Sequence, residues 1–328
     1  MSRVVELVFR IAARRRRAAD NGCATLSNST GRRSTMDSAE RRRPQAYFYL
    51  APAGLVFLVF TLIPAFYVLY ISLFNWNFLN SSQSIFVGLQ NYRNLLMSSA
   101  FWHSLMISLY FVVGTDPIGL FLALGIALVL MKQFIGRGFV RLAVFSPYVT
   151  PVVATSIVWI WIFNPQFGLL NGLLHMVHLP EVGWLQSQRW AMPGVILYTL
   201  WHSLGFDVII FMAGLSTISA DLREAARIDG ANRWQEFWSV TWPLLTPTTL
   251  FVLIITTIGS LQAFTQFFTM TSGGPLSATT TTSYWLYELA FLFYRTGPAA
   301  ALAVLLFVII ATLTALQMWL SKKRAYYQ

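Results

Sequence analysis

The sequence predicts an all-α membrane protein with six transmembrane helices, on three observations. Of 328 residues, 56% are hydrophobic and only 11% charged, against about a quarter charged in soluble domains; mean hydropathy is +0.59. Apolar runs of membrane-spanning length recur over 46–74, 103–131, 139–163, 192–216, 248–270 and 299–320. The segments between them alternate between rich and poor in Lys and Arg.

That alternation fixes an expected topology. Eleven arginines lie within residues 1–45, and Lys132, Arg137 and Arg141 follow the second run. Arg223, Arg227 and Arg233 lie in the 217–247 segment, and Lys322, Lys323 and Arg324 in the 321–328 tail. Only Arg93, Arg189 and Arg295 fall in the alternate connections. The positive-inside rule then places both termini and the 217–247 loop in the cytoplasm. The net charge of +11 reflects topology, not nucleic-acid binding.

Taken in order, residues 1–45 read as a basic tail, disordered or associated with lipid headgroups. Met36 opens Met-Asp-Ser-Ala-Glu-Arg-Arg-Arg and reads as a start site, so residues 1–35 are expected to be an overlong start; a peptide from them would refute this. The single cysteine, Cys23, forms no internal disulfide. The first apolar run is too long for a signal-peptide core and is expected to be retained, with Pro52 and Pro64 tolerated inside it. Residues 46–320 form the six-helix domain, and 75–102, 164–191 and 271–298 read as loops. No short-period repeat interrupts them.

The 217–247 segment is polar and cannot sit in lipid. Asp221, three residues before Glu224, is expected to start a helix over about 222–229. Gly230 suits the left-handed turn that ends it. A second helix over about 232–242 is expected to stop at Pro243, with Pro247 opening span five. Ala225 and Ala226 carry little bulk and leave room for a partner surface, with Glu224 the charge at the tip. A capped loop without a partner has the same physics.

Glu224-Ala225-Ala226-Arg227-Ile228-Asp229-Gly230-Ala231, followed by Pro243-Leu244-Leu245-Thr246-Pro247, resembles the EAA loop of permease subunits in ATP-binding-cassette importers, the sugar-importing branch especially. Gly88-Leu89-Gln90-Asn91-Tyr92 resembles that branch's GLxNY segment. Gly168 through Asn171 and Thr271-Ser272-Gly273-Gly274-Pro275 are similar to two further loop segments, so that the resemblance covers roughly 50–320. It implies the type I importer architecture and a prokaryotic cell membrane. It also implies a second homologous permease, a cytoplasmic ATPase dimer carrying ATP and Mg, and an extracytoplasmic substrate-binding protein. Glu224, Ala225, Ala226, Asp229, Gly230 and Ala231 would enter a cleft in the ATPase. The chain lacks room for the large outward domain of some maltose permeases.

No cofactor or enzyme activity is expected on the chain itself. A phosphate-binding loop needs a Gly-Lys pair, and Lys132, Lys322 and Lys323 all lack the preceding Gly. Energy must come from a partner or an ion gradient. Asp116 and Asp207, acids inside spans, keep an ion-coupled transporter open as an alternative. His175 and His178 could pair as metal ligands on a helix with Glu181 nearby, or be ordinary loop histidines.

Candidates for the cargo path are Asp207, Asp116, Trp201, Gln262 and Gln266, among span aromatics that include Trp159, Tyr198 and Phe206. Rings stack on sugar C–H faces while amides and carboxylates meet hydroxyls, although Trp and Tyr also collect at membrane interfaces. Asp116, just before Pro117, could instead cap a helix break. No Lys or Arg lies deeper than the third residue of any span, which favours a neutral sugar, oligosaccharide or polyol. The family also imports glycerol 3-phosphate and phosphodiesters, whose phosphate would want a cation, supplied here by a partner permease.

Overall fold

A computed structural model describes residues 43–76 and 84–322. The expected 1–45 tail, its Met36 start and the 321–328 tail fall almost wholly outside the described residues. The chain divides into two units, residues 1–66 and 67–328. The first contains α1 (Arg43–Phe57), a π turn (Leu58–Leu62) and the start of α2 (Ile63–Ile71). Together they make an apolar span over Tyr49–Ile71. The π turn has a local cause. Proline lacks an N–H and its ring collides with the carbonyl four residues back. Here Ile63 N–H reaches the Leu58 carbonyl five back, immediately before Pro64, and the wider turn moves the carbonyls aside.

The second unit opens with a short antiparallel pair, β1 (Phe74–Asn75) and β2 (Ile85–Phe86), in which Phe74 faces Phe86. After α3 (Gln90–Leu96) comes α4 (Ser99–Leu130), followed by α5 (Arg137–Val149), α6 (Val152–Ile162) and α7 (Leu169–Met176). Next are α8 (Ala191–Ser216), α9 (Ala220–Ile228), α10 (Arg233–Glu236) and α11 (Trp242–Leu261). The chain continues through α12 (Thr265–Met270), α13 (Thr282–Tyr287) and α14 (Thr296–Lys322). The main core joins α4, α8 and α11: Leu120, Leu124 and Leu130 meet Phe211, Leu215, Leu245 and Val252. Ala123 and Ala127 are fully buried there; without a hydrophobic drive between helices in lipid, small residues permit the close packing that holds them. Leu306 and Ile310 of α14 close on Leu261 of α11.

Among the described residues, five helices are long and apolar enough to span a membrane, and α5 with α6 would make a sixth. In that pair the apolar run over 139–163 is broken into two helices that bend by 104°. Thr150 is extended (φ −80°, ψ 144°), as a residue before proline prefers, and Pro151 then starts α6. Span five also differs. No break occurs at Pro243, because a π turn (Phe237–Thr241) precedes it and Trp242 N–H bonds the Phe237 carbonyl. The helix runs over Arg233–Leu261 rather than 248–270. It is the same device as at Pro64.

The three expected loops hold structure of their own. Asn91 Nδ2 donates to the Ser72 and Phe74 carbonyls, both at 2.9 Å. Asn171 uses both ends of its amide, donating to the Pro165 and Val182 carbonyls and accepting from Val182 N–H and Trp184 Nε1. Thr279 and Thr280 hydroxyls donate to the Gly274 and Gly273 carbonyls. The polar residues in or just after these sequence segments are therefore loop staples. Between spans five and six, α13 and a π turn (Glu288–Leu292) replace much of the expected 271–298 loop.

Gly205 marks a close approach of α8 to the α5 backbone. A Cβ there would overlap the Val144 carbonyl and lie 2.7 Å from Phe145 Cα, whereas one at Gly125 would meet nothing within 4 Å. Gly205→Ala is expected to cost about 1–3 kcal/mol through overpacking. Thermal unfolding in detergent should show a lowered midpoint for Gly205→Ala and none for Gly125→Ala.

Candidate functional site

The break at Thr150–Pro151 frees backbone groups at membrane depth, which are tolerated only inside protein or beside a wet cavity. One face of α8 meets that need. His202 Nε2 donates to the Thr150 carbonyl at 3.2 Å. The Tyr198 hydroxyl lies 3.0 Å from the Val152 carbonyl and 2.8 Å from Thr155 Oγ1. Beside this contact, a cavity of about 380 Å³ opens between α4, α8 and α11, lined by Asp116, Asp207, Tyr148, His202, Ser260 and Gln266 among others. Tyr148 and Phe206 rings stack at 5.0 Å on its wall.

Both acids are buried, Asp116 at 4% and Asp207 at 2% exposure, but their surroundings differ. Asp116 accepts from three hydroxyls: Ser260 at 2.7 Å, Thr257 at 2.9 Å and Thr115 at 3.1 Å. Gln317 Nε2 extends the chain to Thr257 Oγ1 at 3.0 Å. The expected helix break at Asp116 is absent, since α4 continues through Pro117; Asp116 instead ties α4 to α11. Asp207 lines the same cavity, yet among the described residues no hydrogen bond or ion pair reaches it.

Of the other path candidates, Gln266 lines this cavity while Trp201 and Gln262 do not. Trp201 is 40% exposed, its ring 5.3 Å from Trp159 and 6.4 Å from Tyr198. Gln262 follows the end of α11 and faces a separate hollow with Phe264 and Tyr287. The pair His175 and His178 shares no helix face, because His178 lies beyond α7 with φ +58°. Sequence reasoning missed the hydroxyl set and the bridging His202. Their signals were present as Thr257 and Ser260 one turn apart, and as a second proline, Pro151, following Pro147 within an apolar run.

At the far end of α8 stands α9, with Ser219 rather than Asp221 as its cap: Ser219 Oγ accepts from Asp221 N–H at 3.2 Å. Gly230 takes φ +86° and turns the chain. Asn232 and Gln235 then form a reciprocal capping box that starts α10. Arg227 Nε bonds the buried Glu236 at 2.9 Å and pins α9 to α10. That hydrogen bond first, and the Glu236 charge second, raise the Arg227 pKa above its ordinary value. Glu224, Ala225, Asp229 and Gly230 are exposed, while Ala226 and Ala231 are half-buried. Ala220, Glu224 and Ile228, with Arg223 and Arg227, line an open hollow on one side of the helix.

Residues 117–326 match the family of binding-protein-dependent transport system inner membrane components. The chain belongs to this family. It is 31% identical to the probable starch degradation products transport system permease protein AmyD of Thermoanaerobacterium thermosulfurigenes, over 85% of this chain and 94% of that one. It is 32% identical to the trehalose/maltose transport system permease protein MalF of Thermococcus litoralis, over 84% and 92%. With the sn-glycerol-3-phosphate transport system permease protein UgpA of Agrobacterium fabrum, identity is 33% over 86% and 96%. The fold matches that of a bacterial ABC transporter involved in the import of the acidic polysaccharide alginate, with TM-score 0.75 and 22% identity over 88% of this chain and 99% of that one. This permease is thus a multi-pass membrane protein with the ABC-importer permease fold.

The two acids should separate on substitution. Asp116→Leu leaves the Thr257 and Ser260 hydroxyls without their carboxylate acceptor, while Thr115 keeps the Phe111 carbonyl, and is expected to cost about 3 kcal/mol, read as a lowered unfolding midpoint in detergent. Asp207→Leu removes no bond within the fold and should leave that midpoint unchanged.

Proposed function

We propose that this permease is one of two membrane-spanning subunits of an ATP-driven importer that passes a neutral sugar, oligosaccharide or polyol across a prokaryotic cell membrane. Both termini and α9 lie in the cytoplasm, consistent with the sorting of Lys and Arg between connections. The observation that carries the reading is α9 itself. It is capped at its start, turned at its end and pinned by Arg227 to Glu236, yet it exposes Leu222 and, at 81%, Ile228. A helix held so firmly with apolar side chains in water is built for a partner. That partner is a cytoplasmic ATPase, which carries ATP and Mg while this chain carries no cofactor. Glu224, Ala225, Ala226, Asp229, Gly230 and Ala231 form the docking segment.

The cavity is the cargo path. It offers hydroxyls, aromatic rings, the amide of Gln266 and the unpartnered Asp207, and its lining holds no Lys or Arg. That set suits hydroxyl-rich neutral cargo and disfavours anions. The names of the AmyD and MalF relatives point to carbohydrate cargo. The related alginate transporter has been solved with a pentasaccharide-bound periplasmic protein, which, with the binding-protein-dependent family, supports delivery by an extracytoplasmic binding protein. A second reading, glycerol 3-phosphate as cargo, is favoured by the likeness to UgpA; it requires the second permease to supply the cation.

ATPase activity of the reconstituted complex, measured with its binding protein across disaccharides, polyols and glycerol 3-phosphate, tests the reading. Stimulation by a neutral sugar or polyol is expected; stimulation only by glycerol 3-phosphate would shift the assignment to the second reading. Gly230→Pro and Glu224→Arg should each lower stimulated ATPase at least about tenfold, equivalent to about 1.4 kcal/mol, with docking of the binding protein intact. Asp207→Asn should raise the apparent KM for cargo about tenfold, the worth of one charged hydrogen bond. Unchanged kinetics would remove it from the path.

A further inference from the structure

A larger cavity, of about 620 Å³, opens where α4 and α8 end and α11 begins. Its floor is apolar and comes from the ends of the spans: Leu128 of α4 and Met131 just after it, Leu215 of α8, and Phe237 ahead of α11. Its rim carries four cations, Lys132, Arg223, Arg227 and Arg233, against one acid, Glu236. Glu236 is already engaged by Arg227 through contacts of 2.9 and 3.5 Å. Arg223 Nη2 lies 3.4 Å from the Ile218 carbonyl at the end of α8. Among the described residues, no carboxylate pairs with Lys132, Arg223 or Arg233. Three uncompensated cations therefore surround one hollow. Trp234 lines it at 70% exposure, with the Trp238 ring 5.7 Å away.

The order of chemistries is directional. An apolar floor at the ends of the spans is followed outward by cations and indoles, groups that gather at the headgroup level of a bilayer. A phospholipid presents acyl chain, glycerol and phosphate in that same order. A soluble anion would satisfy the cations but leave the floor uncovered, and a neutral sugar has no use for the charge. We propose that this cavity binds the phosphate headgroup of an anionic phospholipid, whose proximal acyl chain covers Leu128, Met131, Leu215 and Phe237. Basic hollows between the ends of spanning helices are suited to such headgroups. Arg223 and Arg227 belong to the same helix as Glu224, so an occupied site holds α9 against the membrane surface. The inference is independent of the cargo.

Native mass spectrometry of the full-length chain in detergent, with added dioleoyl phosphatidylglycerol or phosphatidylcholine, tests it. Retention of the anionic lipid over the zwitterionic one is expected. Lys132→Gln with Arg233→Gln should weaken that retention about fivefold per cation, roughly thirtyfold together. Arg137→Gln, outside this cavity, should not change it. Exchanging the two residues, Lys132→Arg with Arg233→Lys, keeps the charge and should keep the lipid. Equal binding of both lipids would overturn the proposal, as would undiminished retention by the double glutamine variant or loss in the charge-conserving one. Displacement by millimolar inorganic phosphate or glycerol 3-phosphate would also overturn it, revealing a soluble-phosphate site instead.

Discussion

A helix broken inside the membrane sets the terms for the second unit. The 104° bend between α5 and α6 frees carbonyls where water is scarce, and each unsatisfied group in hydrocarbon costs several kcal/mol. Tyr198 and His202 of α8 reach the Val152 and Thr150 carbonyls. They stand one helical turn apart, and Gly205 continues the same face where α8 touches the α5 backbone. One stripe of α8 thus seals the break, and the cavity lies beside that seal. The bend and the site belong to one constraint.

Among the described residues, most buried polar groups in this permease are bonded within the fold, while Asp207 and the Ser156 and Ser321 hydroxyls are not. Asn91, Asn171, Thr279 and Thr280 are engaged by nearby backbone, and Asp116 by three hydroxyls from α4 and α11. Asp207 alone among the buried acids facing the cavity has no partner among the described residues. A buried carboxylate without a bond is costly, and Asp207 meets the open cavity rather than a protein partner. That contrast separates positions equally conspicuous as span acids.

Mechanical continuity links the two ends of the unit. Arg233–Leu261 is one helical element, and its π turn lets it pass Pro243 unbroken. At one end Glu236 is bonded to Arg227 of α9. About 36 Å along at 1.5 Å per residue, Ser260 is bonded to Asp116 beside the cavity. One unbroken helical element therefore joins α9 to the cavity wall.

The sequence by itself determined the solvent, the spans and the loop helix. Those follow from local quantities: apolar run length, the sorting of Lys and Arg, and the Ser, Asn and Gly positions that start and stop short helices. Even there, Ser219 displaced Asp221 as the cap and a wide turn carried span five past Pro243, since caps and π turns are settled by a single hydrogen bond that several residues could make. Tertiary structure alone decided which polar residues converge. Asp116, Asp207 and Gln266 face one cavity while Trp201 and Gln262 do not. His202, an unremarked histidine in the chain, closes the broken span. Convergence depends on how α4, α8 and α11 rotate about their axes, and in near-uniformly apolar helices no periodic pattern records that rotation; it is fixed by the fit of Ala123, Ala127 and Gly205 against neighbouring helices.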